Sequence, residues 1–343
     1  LDSGLKIDDE ILQKELSGNG SIKMRNIVAT IQKEQNSIVR DQTSTIMLVQ
    51  GVAGSGKTSI ALHRIAFLLY QNRSNLNSSD ILIISPNNIF ADYISNVLPE
   101  LGEQNISEVS FDEIAQHEMK GICKYETKYE QMEYIIKCRD ESDERIERIR
   151  FKGSIQFLEE MKKYVEALDK QFVEFDSYTL NGYKVEGSLL KKLYEGIFST
   201  KAPIERLDMI GDRIADMYEN DNNAIISVSS RNDIKQSIRG MAKTSNVLEN
   251  YRDFICTLSS KYDVEQDDYI SDNYLQYEDV FPVVLLKFML YGKQNPQFAR
   301  IKHVIVDEMQ DYSMVQYEIL SLLFKCKMTI LGDVNQVVDK SND

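Results

Sequence analysis

Eight residues constrain this chain more than any others: Gly51-Val52-Ala53-Gly54-Ser55-Gly56-Lys57-Thr58. A glycine, four residues and then Gly-Lys-Ser/Thr is the pattern of a loop that folds around a phosphate. The apolar run Ile46-Met47-Leu48-Val49 precedes it and a helical run from Lys57 to Tyr70 follows, which is the strand, loop and helix context the pattern requires. Such a loop points successive backbone N–H groups inward, and side chains there block the approach. Gly51, Gly54 and Gly56 therefore belong in it, with Ser55 between the last two. Lys57 is expected to neutralise the β- and γ-phosphates, Thr58 to ligate Mg²⁺, and the helix N-terminus to add its dipole.

The next elements repeat the alternation. After a polar stretch from Gln71 to Asp80 comes the apolar run Ile81-Leu82-Ile83-Ile84-Ser85, then Pro86-Asn87-Asn88, then a helical pattern through Ile89, Phe90, Tyr93, Ile94, Val97 and Leu98. This order predicts a parallel sheet with covering helices. Upstream, Met24 to Arg40 reads as a helix with Ile27, Ile31, Ile38 and Val39 on one face, and it carries Gln32 and Gln35. A glutamine offers a donor and an acceptor, as reading an adenine edge requires, although an exposed glutamine on an amphipathic helix is the commoner case. His63, within the apolar run after the loop, reads as a packed or capping group rather than a catalyst.

From Pro99 to about Asn273 the alternation stops and most of the chain reads helical. Glu141 to Arg150 mixes charges at three- and four-residue spacings and is expected to be a solvated, salt-bridged face. Ile155, Leu158, Met161, Tyr164, Val165 and Leu168 recur as a packed helix face. Gly182, Gly187 and the polar run Ser227 to Asn232 suggest loops or short strands. A connection this long is no crossover, so it is expected to be an inserted domain.

Tyr277 to Tyr291 returns to a buried helix, with Pro282 tolerable only in a first turn. His303-Val304-Ile305-Val306-Asp307-Glu308 then reads as an apolar strand ending in two carboxylates, followed by Met309-Gln310-Asp311. Ligands bind beyond the carboxyl ends of strands in open α/β sheets. Asp307 is placed to hold Mg²⁺ through water and Glu308 to orient or deprotonate an attacking water. A helix from Met314 to Phe324 leads to a last apolar strand, Met328-Thr329-Ile330-Leu331, ending in Gly332-Asp333-Val334-Asn335-Gln336. Gln336 is positioned to sense the γ-phosphate or the attacking water.

Composition narrows the partners. The chain has 343 residues, 42% of them hydrophobic, and a net charge of −14. Residues 1–100 carry −1, residues 101–280 carry −13 and residues 281–343 carry zero. The acidic middle is a poor candidate for a broad phosphate-binding face. No uncharged run approaches a membrane span, and the N-terminus has neither a basic start nor a hydrophobic signal core, so a soluble, cytoplasmic protein with no membrane partner is expected. Cys123, Cys138, Cys256 and Cys326 are scattered, with no metal-ligand spacing, and read as reduced thiols.

Five stretches together carry a resemblance: IQKEQ (31–35), QGVAGSGKTSIALHRIAFLLY (50–70), ISPNNIFADYI (84–94), VIVDEMQDYS (304–313) and ILGDVNQ (330–336). In this order they resemble superfamily 1 helicases of the UvrD/Rep type, and most closely the HelD (DNA helicase IV) branch. The resemblance implies an α/β fold: a P-loop RecA-like parallel sheet with covering helices, interrupted by a large, mainly helical inserted domain. The corresponding division is a flank over 1–21, the RecA-like ATPase domain over 22–98 and 275–343, and the acidic insert over 99–274. It implies ATP and Mg²⁺ as cofactors, Gln35 as the adenine-reading glutamine, Lys57 and Thr58 as phosphate and metal residues, Asp307 and Glu308 as metal and water residues, Gln336 as the γ-phosphate sensor, and Gln310 as a link to the moving domain. Ser59 stands where UvrD-like enzymes place an arginine against the adenine. Ser85-Pro86-Asn87-Asn88 stands where they place an aromatic and a lysine near single-stranded DNA, which weakens a DNA-tracking reading. Seven residues follow Gln336 and no second sheet. The resemblance implies a second RecA-like domain in the full-length chain, with arginines that complete the site, so this fragment is expected to bind nucleotide and hydrolyse it poorly. Two functions follow from the likeness: a motor acting on single-stranded DNA, or a HelD-like factor that binds RNA polymerase and releases it from nucleic acid, its acidic insert entering the polymerase channel.

Overall fold

The computed structural model describes residues 33–52, 54–86, 106–138, 143–244, 246–262, 274–292 and 298–333. The N-terminal part of the Met24–Arg40 helix, the helix expected over Ile89–Leu98, and Gln336 lie outside these residues. The chain divides into two compact units: residues 1–114, 296–312 and 324–343, and residues 115–295 and 313–323.

The first unit is built on a five-stranded sheet in which every pairing is parallel. Its strands are β1 (Ile46–Gln50), β2 (Ile81–Ile84), β3 (Ser107–Val109), β8 (His303–Val306) and β9 (Lys327–Gly332), with β4 to β7 (Lys124–Tyr125, Tyr178–Leu180, Tyr183–Val185 and Tyr274–Leu275) lying in the other unit. The order is β1-β9-β8-β2-β3. β2 and β8 are buried along their whole length, which is why they read as unbroken apolar runs rather than alternating ones. Helix α1 (Lys33–Arg40) packs on helix α2 (Lys57–Gln71), and Ala61, Leu62, Ile65, Leu68 and Leu69 of α2 fill the core with Val49, Ile81, Ile83, Ile305 and Leu331. Because all five strands run the same way, the ends of β1, β8 and β9 open on one edge of the sheet.

The second unit is mainly helical. Helix α3 (Phe111–Glu118) leads into it, followed by α4 (Lys128–Lys137), α5 (Glu144–Gly153), α6 (Ile155–Asp169), α7 (Gly187–Lys192), α8 (Pro203–Asn222), α9 (Val228–Arg239), α10 (Val247–Tyr262), α11 (Tyr277–Tyr291) and α12 (Met314–Leu323). Several sequence expectations are corrected here. The Ser227–Asn232 run is a helix start, not a loop: the Ser227 side chain accepts the Ser230 N–H as an N-cap, and Ile234 and Ile238 bury one face of α9. Gly187 opens α7 because a side chain there would strike the Phe175 carbonyl. Pro282 lies inside α11 rather than in its first turn. An interior proline costs about 3 kcal/mol, and α11 offsets this by burying Val280, Phe281, Val283, Val284, Leu285 and Leu286, each worth roughly 1.5–3 kcal/mol where fully buried. Ile155, expected on the packed face of α6, is 55% exposed, while Phe157, Leu158 and Met161 are buried.

The Glu141–Arg150 face is also not simply solvated. Arg145 of α5 is buried and bonds Glu278 at 3.0 Å through Nε and through Nη2, and it also bonds Glu126. Gln131 donates to the same Glu278 at 2.9 Å. Among the described residues, no helix is long and apolar enough to cross a membrane and no three His, Cys, Asp or Glu side chains are grouped to hold a metal; the four cysteines are free thiols.

Candidate nucleotide-binding site

The phosphate loop leaves the end of β1 with the Gly51 N–H donating to the Gly332 carbonyl of β9 at 3.1 Å. It turns through a Ser55 N–H bond to the Val52 carbonyl at 3.1 Å. Gly54 and Gly56 take φ of 74° and 85°, a left-handed backbone that glycine adopts without cost. A Cβ on Gly51 would sit 2.6 Å from Ser55 Oγ, so a side chain there would force the Ser55 hydroxyl to turn away. Gly56 caps α2 with no side-chain bond to the first-turn amides, which leaves the N–H groups of Lys57, Thr58 and Ser59 at a helix terminus suited to an anion. Lys57 is buried, Thr58 half-buried and Ser59 exposed. The Ser59 Oγ lies 3.3 Å from His63 Nε2, so His63 is a partner of its own helix.

The second half of the site comes from the end of β8. The Asp307 N–H continues the ladder onto the Ile84 carbonyl at 2.9 Å, and Glu308 then adopts a left-handed φ of 50°. A non-glycine residue there costs about 1–2 kcal/mol. Asp307 is 7% exposed and its Oδ1 has no hydrogen-bond partner among the described residues. Burial, and after it the charge of Glu308, raise the Asp307 carboxyl to about 6; the charge of Lys57 acts on it in the opposite direction. A buried, unsatisfied carboxylate oxygen within the field of the loop lysine fits a divalent cation held between strand end and phosphate loop. The residues present therefore fit Mg²⁺ with a nucleoside polyphosphate: a glycine cradle, a helix terminus, one lysine and one orphaned carboxylate.

The structure thus brings together Gly51, Gly54, Ser55, Gly56, Lys57, Thr58, Asp307 and Glu308. Gln35 stands half-buried on α1, and α1 is tied to the loop helix by a residue the sequence reading passed over. Arg64 of α2, 1% exposed, donates to the Ile38 carbonyl at 2.6 Å and to Thr329 Oγ1 of β9 at 3.0 Å. His303 Nε2 meets the same hydroxyl at 3.0 Å. The only local signal was a cation in an otherwise apolar helical run. Glu108 on β3 was also missed, and its charge adds to the upward push on Asp307.

A family model described as the UvrD/REP helicase N-terminal domain matches residues 31–338. No curated protein matches the chain.

Proposed function

Because the chain belongs to the UvrD/REP helicase N-terminal domain family and is therefore a superfamily 1 helicase motor domain, we propose that it binds Mg-ATP at the loop over 51–59 and couples its hydrolysis to work on nucleic-acid complexes. The family's ATP-dependent activity and nucleic-acid binding set the reaction; the residue roles are ours. Lys57 and the α2 amides hold the β- and γ-phosphates, with Thr58 ligating the metal and Asp307 holding it through water. Magnesium supplies charge neutralisation on the phosphate oxygens. Glu308 takes the proton of the attacking water, Gln35 reads the adenine edge, and Gln336 senses the γ-phosphate. The observation that carries this reading is the convergence of Lys57 and Asp307 at one sheet edge, where the lysine's charge acts on a buried carboxylate whose Oδ1 lacks a partner.

Within the family we place the chain in the HelD branch. A second reading of its work, release of RNA polymerase from nucleic acid, is favoured by the −13 charge of residues 101–280, which suits a groove built for nucleic acid better than it suits nucleic acid itself. The test titrates a fluorescent Mg-ATP analogue, single-stranded DNA at two salt concentrations, and RNA polymerase core, against the protein and Lys57→Ala. Nucleotide binding lost only in Lys57→Ala supports the site. DNA affinity that falls steeply with salt, without polymerase binding, supports the motor and defeats the polymerase reading; the converse result defeats the motor.

A further inference from the structure

Gln310 lies in the short 3₁₀ turn Met309–Asp311 that follows Glu308. Its side-chain N–H donates to Glu308 Oε2 at 2.7 Å, and its side-chain oxygen accepts the Asp333 backbone N–H at 3.0 Å. The two ends are fixed by chemistry: a carboxylate only accepts and a backbone amide only donates, so a carboxamide is the side chain that joins them. Asp333 is 2% exposed and directly follows β9, so the bond at that end is anchored in the sheet. Gly332 is cut to fit. A Cβ there would lie 2.7 Å from Gln310 Oε1 and would collide with Met309 Cγ. Glu308 enters this arrangement from a left-handed backbone, with φ of 50°.

We propose that Gln310 is a positioning residue for Glu308, fixing the carboxylate by one oxygen, Oε2, so that the other is aimed at the attacking water, and that this aim is referenced to the end of β9 through Asp333. The proposal rests on the reading of Glu308 as the residue that orients or deprotonates water. A half-buried carboxylate held by one neutral donor loses rotational freedom, and a fixed orientation towards the water is what general-base catalysis needs.

The test compares the intact protein with Gln310→Ala, Gln310→Asn, Gly332→Ala, the Gln310→Ala/Gly332→Ala double variant and Lys57→Ala. It measures steady-state ATPase with single-stranded nucleic acid and binding of a fluorescent Mg-ATP analogue. The expected result is a kcat lower by about tenfold to a hundredfold in Gln310→Ala, with KM and analogue affinity within about twofold of wild type. Gly332→Ala should show the same split, and the double variant should be no worse than the worse single, because both act through one contact. Gln310→Asn, with the same group on a shorter stem, should not restore kcat. A kcat within twofold of wild type in Gln310→Ala overturns the proposal. So does loss of analogue binding in step with kcat, which marks a structural role, and so do multiplicative effects in the double variant. Lys57→Ala separates the two levels: if it binds the analogue like wild type, the nucleotide-site reading falls and takes the proposal with it.

Discussion

The Lys57 ammonium donates to the Gly51 carbonyl at 2.7 Å and reaches the Val52 carbonyl at 3.3 Å, so the loop's own backbone holds the charge that, in the proposed site, passes to the phosphates. A phosphate oxygen replaces two neutral acceptors with an anionic one, and charge-assisted bonds are roughly twice as strong. Lys57→Ala is therefore expected to weaken Mg-ATP binding by about tenfold to a hundredfold, the equivalent of roughly 1.5–3 kcal/mol. Thermal melting reads this directly: the same analogue concentration, saturating for wild type, should raise the variant's midpoint by no more than about half the wild-type rise. An equal rise in both proteins would remove Lys57 from the site.

Arg64 makes the geometry of that loop depend on distant chain. Its guanidinium spans from the Ile38 carbonyl at the end of α1 to Thr329 in the middle of β9 while almost wholly buried. Arg64→Met fills the volume but leaves the carbonyl and the hydroxyl short of a donor, at about 1–3 kcal/mol for each unsatisfied group. The expected loss of about 2–5 kcal/mol is measured by urea unfolding. Arg64→Lys should recover little of it, because a single ammonium lacks the planar fork that serves both acceptors. If Gln35 of α1 reads the adenine as proposed, preference for adenine over guanine nucleotides falls in Arg64→Met by more than total nucleotide affinity does.

The legible parts of this molecule were those in which one short segment holds its own explanation. Glycines at 51, 54 and 56 before Lys57 state a tight loop between strand and helix without reference to anything else, and His303–Val306 states a buried parallel strand by being apolar throughout. What escaped the sequence was set by partners far along the chain. Arg64 finds Thr329 265 residues away, and Arg145 finds Glu278 133 residues away. Nothing near either residue signals a buried cation rather than a solvated one. The polar run at Ser227 was misread for a different reason. Serine favours loops and helix starts alike through the same side-chain bond to backbone, and only the buried Ile234 and Ile238 downstream decide between them. Gln310 was legible as a residue near the carboxylates, but its bridge to Asp333 depends on the register of β8 beside β9.

His303 gives the first unit an acid-sensitive point. It is 4% exposed, and burial first, then the charges of Arg64 and Lys327, lower it from 6.5 to about 4. The neutral ring is thus favoured by folding, and the unfolded chain takes up the proton first as pH falls. Stability from this residue is complete above about pH 6.5 and is lost progressively towards pH 4, by about 2–3 kcal/mol between pH 7 and 4.5. His303→Gln keeps a group able to bond the Thr329 hydroxyl and removes the titration. Urea midpoints at pH 7 and 4.5 should therefore drop less in the variant than in the wild type; equal drops would mean that His303 is not the group responsible.

The Arg145 network offers the corresponding test in the second unit. Burial pushes the Glu278 carboxyl up, yet the hydrogen bond and charge of Arg145 hold it below its usual range. Burial likewise opposes the charge on Arg145, and its bonds to Glu278 and Glu126 more than restore it. Removing the cation alone leaves two buried carboxylates facing each other, and one-sided removal from a buried ion pair costs about 3–5 kcal/mol. Arg145→Met should therefore destabilise the protein by that amount at pH 7. Adding Glu278→Gln and Glu126→Gln to the same chain should recover a large part of it, because the neutral triple variant no longer buries unpaired charge. Glu278 is the group whose carboxyl is lowered on folding, so its contribution is present at neutral pH and fades as pH falls through the acid range. The wild type and Arg145→Met should accordingly converge in stability as pH is lowered from 7 towards 4. Chemical unfolding at a series of pH values measures this. A gap that stays constant with pH would show that Arg145 stabilises by packing its stem and not by its charge.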